Sequence, residues 1–328
     1  MVALIRWGRS LVVGVEGLSV AALEAAAGRW CGTVGWEDGG SSAVLRLVVP
    51  PLGGDPAARP PARVRLGARV DGQDGRLELR VGPHAVLAGT GAEPDVVRFG
   101  ARRPLSQVEY DLVVDLGINH LLARQGSPVL HAGAFELGGL SVLALGESFA
   151  GKTTVAVAAM AAGGRVVSDD AVLAVPEGQR LVLLPVRSYG WLRGRTREIV
   201  PDELRRRMVE GAENGHPRWV LSREHAGGAF VERSMPDTIW VQSIDRRLRE
   251  SRIEAIDQGR VFAALVRASS PIYLSRHCPE IRDRLIPVFR SLCSQCRGYR
   301  VRLGRRLLED TEWEIRRLVE ASSLNSQL

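Results

Sequence analysis

The chain has 328 residues, 45% hydrophobic and 25% charged, enough apolar material for one large or two medium domains and too much for a disordered or fibrous class. A formal charge of +7 favours phosphate-rich or acidic partners, although scattered surface charge commonly does no more than keep a protein solvated. Four cysteines make no disulfide scaffold, and the opening stretch Leu11 to Ala27 is broken by Glu16 and Glu24, so neither a membrane span nor a secretory leader is expected. The expected location is the reducing cytoplasm.

Residues 1–125 are expected to form a β-rich region without a catalytic motif. Ala43 to Val49 and Val64 to Val70 read as strands, and Pro50 to Pro61, with its Pro-Pro and Gly-Gly pairs, as a loop. A helix is expected over Ser106 to Arg124, where Val108, Leu112, Leu116 and Leu121-Leu122 recur at helical spacing. Residues 126–328 are expected to hold the chemistry. Val129 to Leu137 and Leu140 to Leu145 read as strands paired across Gly138-Gly139, and Thr153 to Ala162 as a helix stopped by Gly163-Gly164. Val166 to Val175 and Leu181 to Val186 then form a second strand pair. The arginine-rich Arg187 to Pro217 reads as a mobile stretch. Helices over Pro279 to Ser294 and Leu307 to Ala321 flank a strand at Tyr299 to Leu303.

Between the second strand and the helix stands GESFAGKT, which fits the phosphate-loop pattern G-x-x-x-x-G-K-[ST] at every fixed position. Gly146 and Gly151 let the backbone wrap, so that amide groups of Glu147, Ser148, Phe149 and Ala150 and the helix N-terminus face an anion. Lys152 supplies a charge to the β- and γ-phosphates, Thr153 a hydroxyl for Mg²⁺, and Thr154 extends the cradle. Lys152 is also the sole lysine; every other basic side chain is arginine. The expected ligands are therefore ATP and Mg²⁺.

Asp169 and Asp170 stand in an otherwise apolar stretch, VVSDDAVLAV, where burying two carboxylates is costly unless they serve a metal or substrate. Adjacent strand residues face opposite sides, so the two cannot share one job. One would hold the metal and the other would accept a hydroxyl proton. His131, beside Val129-Leu130, could be either a satisfied interior histidine or part of the site.

The run Leu130 to Val175 resembles the catalytic core of the HPr kinase/phosphorylase family. The resemblance rests on a His-Gly strand, a phosphate loop and an Asp-Asp strand in that order, with His131 21 residues before Lys152 and Asp170 18 after it. It implies an α/β fold with a phosphoenolpyruvate carboxykinase-like P-loop kinase core behind a β-rich N-terminal region. By the same resemblance Asp170 is the proton acceptor, Asp169 its acidic neighbour and metal ligand, and His131 the active-site histidine. Two departures stand out. The region after the Asp-Asp strand, LLPVRSYGWLRGRTRE, has no acid before Glu198, and the N-terminal third shows no regulatory domain of that family. The chain thus looks like a divergent relative, similar to kinases that tailor lasso peptides and other ribosomally made natural products.

The expected activity is ATP-dependent phosphorylation of a hydroxyl, with a Ser or Thr of a peptide as partner; neither a membrane nor nucleic acid is expected, and self-association is left open. Two alternatives stand beside it: a small-molecule kinase acting on free serine or a sugar, and a regulator that binds ATP without transferring phosphate. Arg187, Arg193, Arg195 and Arg197, interleaved with Tyr189 and Trp191, could bind single-stranded nucleic acid or an acidic peptide, and fit a substrate or phosphate clamp at least as well. His277, Cys278, Cys293 and Cys296 form a weak zinc pattern, set against buried free thiols.

Overall fold

The computed structural model describes, with side chains, residues 115–187, 190, 192, 194–211, 219–269 and 279–323, and the backbone of the further strand and helix residues named below. The expected loop Pro50 to Pro61 lies outside the described residues. Two compact units divide the chain: Met1–Gly126 with Ile272–Arg284, and Ser127–Pro271 with Leu285–Leu328.

In the first unit eight strands form one sheet: β1 (Val2–Trp7), β2 (Leu11–Glu16), β3 (Thr33–Glu37), β4 (Leu45–Val48), β5 (Leu66–Asp71), β6 (Arg76–Val81), β7 (Ala85–Gly89) and β8 (Val96–Ala101). Their order is β3-β1-β2-β4-β8-β7-β6-β5. Helix α1 (Gln107–Arg124) follows, with Ile118, Leu121 and Leu122 fully buried. Its His120 is 4% exposed, and burial, assisted by Arg124, pushes the imidazole down from 6.5 to about 3. The sign of the consequence is fixed. Between those two values the unfolded chain binds a proton that the folded chain refuses, so stability falls as pH drops through 6.5 and the loss is complete near 3. The loss should be on the order of 3–5 kcal/mol. Thermal midpoints measured from pH 7 to 4 should therefore fall more steeply for the natural chain than for His120→Gln; parallel curves would show that His120 is not the group responsible.

The second unit is built on a sheet in the order β13-β12-β9-β10-β17-β19-β18, with β11 also paired to β9. Its strands β9 (Val129–Leu137) and β10 (Leu140–Leu145) form the expected hairpin, turning at Gly138 and Gly139, both at positive φ. Helix α2 (Lys152–Ala161) follows, running over β9 with Val155, Ala156, Ala158 and Ala159 fully buried. The expected single strand Val166 to Val175 is instead two strands, β11 (Arg165–Ser168) and β12 (Ala171–Glu177). The first carries a register shift between Val166 and Ser168, and Asp169-Asp170 form the bend between the two. β13 (Arg180–Pro185) then pairs with β12 as expected.

The arginine-rich stretch is not an unstructured segment. It contains β14 (Tyr189–Leu192), a 3₁₀ turn (Gly194–Arg197), the single-turn helix α3 (Asp202–Arg205), β15 (Val209–Glu213) and β16 (His216–Ser222), and its strands form a sheet in the order β14-β16-β15. The Arg197 guanidinium lies 3.6 Å from the Trp219 ring centre, a cation–π contact that replaces some of the hydration an arginine loses in a folded segment.

The rest of the sheet comes from β17 (Thr238–Ile244), β18 (Arg252–Ile256) and, after helices α4 (Gln258–Ala268) and α5 (Pro279–Gln295), β19 (Arg297–Leu303). β10, β17 and β19 run parallel. α4 starts at Asp257, whose carboxylate accepts the Arg260 amide at 3.0 Å, and presents Val261, Ala264 and Leu265 to the sheet. It approaches so closely that a β-carbon on Gly298 would lie 2.2 Å from Val261 Cγ2. The expected C-terminal helix is split at Asp310 into α6 (Arg306–Glu309) and α7 (Thr311–Leu324).

α7 is tied down by polar contacts as well as by packing. Ser322 Oγ accepts Trp240 Nε1 at 3.0 Å and the Ser322 carbonyl accepts the Tyr299 hydroxyl at 2.9 Å. Glu314, fully buried, accepts both the Ser251 amide and the Arg317 guanidinium; burial pushes its carboxyl up, and those donors bring it below the usual range. Among the described residues no helix is long and apolar enough to cross a membrane.

Candidate active site

The parallel strands β10 and β17 end at the loop Gly146–Gly151, and α2 begins directly after it. Two observations explain its glycines. A β-carbon on Gly146 would lie 2.7 Å from Ala150 Cβ and 2.8 Å from the Gln242 carbonyl, and Gly151 sits at φ 92°, where the left-handed backbone favours glycine. Gln242 Nε2 donates to the Ala150 carbonyl at 3.2 Å, anchoring the loop to β17. Ser148 and Phe149 are exposed, whereas Lys152 is 5% exposed at the start of α2.

Lys152 Nζ donates to the carbonyls of Gly146 and Glu147, each at 2.9 Å, so the ammonium sits inside the curl of its own loop. Burial lowers the lysine from its ordinary range, while Asp170 first and then Asp169 pull it back up. Thr153 and Thr154 are half-buried on the first turn of α2. Thr154 Oγ1 lies 3.3 Å from Thr196 Oγ1, which links the helix to the 3₁₀ turn of the arginine-rich segment.

The bend between β11 and β12 separates the two aspartates. Asp170 joins β9: its carbonyl accepts the Ala132 amide at 3.0 Å, and Ala171 is in register with His131. Its Oδ1 lies 3.1 Å from His131 Nδ1, and both side chains are about half exposed. Burial pushes the Asp170 carboxyl up, but the His131 hydrogen bond, the His131 charge, Lys152 and Arg187 outweigh it, so the net direction is down. The group is therefore ionised at neutral pH and open to an incoming hydroxyl.

Asp169 points the other way. It is 6% exposed, and a β-carbon on Gly190 of β14 would stand 3.4 Å from its Oδ1. It lines a recess with Ala156, Val157, Met160, Val166 and Leu192. An ion reaching this carboxylate would have to shed water and open an apolar wall, which a strongly hydrated Mg²⁺ resists. The accessible carboxylate beside Lys152 is Asp170. The half-buried Thr153 hydroxyl is a hard oxygen donor of the kind that Mg²⁺ takes together with phosphate oxygens.

His131, Lys152 and Asp170 are thus brought together from three elements, while Asp169 lies behind them. Gln242 and Thr196 were missed in the sequence. Gln242 carried one signal, a lone amide in the strand TIWVQSI. Arg193 and the side chains of Tyr189 and Trp191 lie outside the described residues, as do His277 and Cys278. Cys293 and Cys296 donate to different carbonyls, the first to Gln258 at 3.7 Å and the second to Pro236 at 3.2 Å, and among the described residues no group of three or more His, Cys, Asp or Glu side chains could hold a metal. Burial pushes the two thiols up to about 11 and about 12, which keeps them protonated at neutral pH.

No family model and no curated protein matches this sequence. Among solved structures it is similar to the Hpr(Ser) kinase/phosphatase from Coxiella burnetii, with a TM-score of 0.30 and 12% identity over 59% of this chain and 97% of that one.

Proposed function

We propose that this protein transfers the terminal phosphoryl group of ATP to a hydroxyl, and that the acceptor is a Ser or Thr of a peptide such as a ribosomally made precursor. One observation carries the reading: the accessible carboxylate of Asp170, paired with His131, stands beside the only lysine of a phosphate loop. A carboxylate in that position removes the hydroxyl proton as the oxygen attacks the γ-phosphorus, and ADP departs on the opposite side. The Nδ1 contact of His131 fixes the Asp170 rotamer and leaves its second oxygen for the acceptor. Lys152 and the loop amides balance charge on the phosphates. Mg²⁺, when bound with the donor, supplies further charge neutralisation, and Thr153 would hold it.

An acyl-phosphate derivative of ATP, which acylates amines beside bound nucleotide, tests this directly. Because Lys152 is the sole lysine, labelling should give one internal adduct that excess ATP suppresses. Labelling confined to the N-terminal amine, or indifferent to ATP, would remove the nucleotide site. Release of ADP stimulated by peptides but not by free serine or sugars would fix the acceptor class; the reverse pattern would favour the small-molecule alternative.

A further inference from the structure

A loop that cradles an anion must turn its amide groups inward and its carbonyls away, and a carbonyl turned into the protein needs a donor of its own. In residues 146–151 four carbonyls have one. Those of Gly146 and Glu147 accept Lys152 Nζ, Glu147 also accepts the Ala150 amide at 3.1 Å, and Gly151 accepts the Val155 amide at 3.0 Å at the start of α2. Ala150 is different: its donor comes from another strand, Gln242 Nε2 on β17, 92 residues further along the chain. The same residue meets the other end of the loop. Its carbonyl and Cγ lie 2.8 and 3.3 Å from where a β-carbon on Gly146 would be, so Gln242 reaches from the first residue of the loop to Ala150. Gly151 is closed in by Leu303 Cδ1 and Ile244 Cγ1, 2.7 and 3.5 Å from its own β-carbon position.

The peptide between Ala150 and Gly151 is trans, so its carbonyl and its amide point in opposite directions. Holding the carbonyl against β17 therefore turns the Gly151 N–H away from β17. Gly151 sits at φ 92°, and glycine passes between positive and negative φ with little penalty. Released from Gln242, this peptide can flip, and a flipped peptide sets the negative end of a carbonyl dipole where an amide stood. Stability alone does not explain the glutamine. It is 4% exposed and its Oε1 has no partner among the described residues, a penalty that an apolar side chain of similar size would avoid.

We propose that Gln242 is a positioning residue for the donor phosphates: it fixes the Ala150–Gly151 peptide with the amide toward the phosphate seat and the carbonyl away from it. This rests on the reading of residues 146–153 as a phosphate loop. Calorimetry on the full chain with ATP and with inorganic tripolyphosphate tests it. Gln242→Met, close in size but without a donor, should weaken both ligands about tenfold, the loss expected for one hydrogen bond, while the ligand-free thermal midpoint is not lowered. Gln242→Glu supplies the rescue. Its protonated carboxyl can donate to Ala150 as the amide does and its carboxylate cannot, and burial raises such a carboxyl. Its deficit against the natural chain should therefore shrink as pH is lowered from about 8 to about 5.5. Natural tripolyphosphate affinity in Gln242→Met, or a Gln242→Glu deficit indifferent to pH, would overturn the anchor and leave the phosphate loop standing. A midpoint that fell while phosphate affinity held would reduce Gln242 to a packing residue. If the natural chain bound neither ligand, the loop assignment would fall and the anchor with it.

Discussion

Asp170→Asn is expected to cut phosphoryl transfer about 10²- to 10⁴-fold while ATP affinity changes little, because the amide keeps the size of the side chain but cannot take the hydroxyl proton. His131 Nδ1 still finds an oxygen at this position, so the variant should hold its geometry and its thermal midpoint. The pH dependence has a definite sign. The carboxyl is held below its ordinary value by His131 and the cations around it, so the natural protein should keep this base ionised throughout the neutral range, and its rate should show no acid limb from Asp170 near neutrality. Asp169→Asn offers the contrast. Its carboxylate is enclosed against Gly190, so the variant should lower thermal stability more than it raises the Mg²⁺ concentration for half-maximal rate. Initial rates against Mg²⁺ for both variants, with nucleotide affinity by calorimetry, decide the matter. If Asp169→Asn were rescued by excess Mg²⁺ and Asp170→Asn lost ATP binding, the two roles would have to be exchanged.

Lys152→Arg should be nearly as inactive as Lys152→Ala, with turnover reduced by about 10²- to 10³-fold or more in both, the range for losing a preorganised charge at the reacting group. The arginine variant is the sharper test, since it keeps the charge. Lys152 is 5% exposed and its ammonium fits between the carbonyls of Gly146 and Glu147 at 2.9 Å each. A planar guanidinium is wider and presents its donors in a rigid fork, so it cannot occupy that curl without opening the loop. A chain that uses arginine for every other basic position therefore had a steric reason to retain this one lysine. An arginine variant with natural turnover would show that charge alone suffices and that the loop does not close around the side chain as described.

The parts of the site legible in the sequence were those set by local spacing. The hairpin β9–β10, the loop and α2 follow one another within about thirty residues, and the glycines, the lysine and the hydroxyl occupy positions dictated by one turn of backbone. That the two aspartates face different ways was foreseen from strand alternation, but its cause is different: they stand in a bend between two strands and not within one, and no residue type marks such a break. The β14–β16 sheet was hidden because its strands are short and the segments between them are crowded with arginine, and their cover, such as Arg197 on Trp219, comes from residues outside each strand. α4 could have been found: Asp257 caps it, and Val261, Ala264 and Leu265 repeat at helical spacing. The adjacency of β10 and β17, on which Gln242 and Ile244 depend, is separated by almost a hundred residues and leaves no local trace.

The position of β19 bears on how the protein comes to be made. It is the last described strand in the sequence, yet it lies between β17 and β18, pairing parallel with one and antiparallel with the other. A ribosome-bound chain that has already emitted the phosphate loop still has an open slot in its central sheet, with two strand edges facing one another across a gap. Folding of this unit must wait for residues 297–303 to emerge, and pairing over such long separations is slow and leaves edges exposed to other chains meanwhile. Slowing translation between the loop and β19 should therefore lower the soluble yield, whereas a pause after β19 should not.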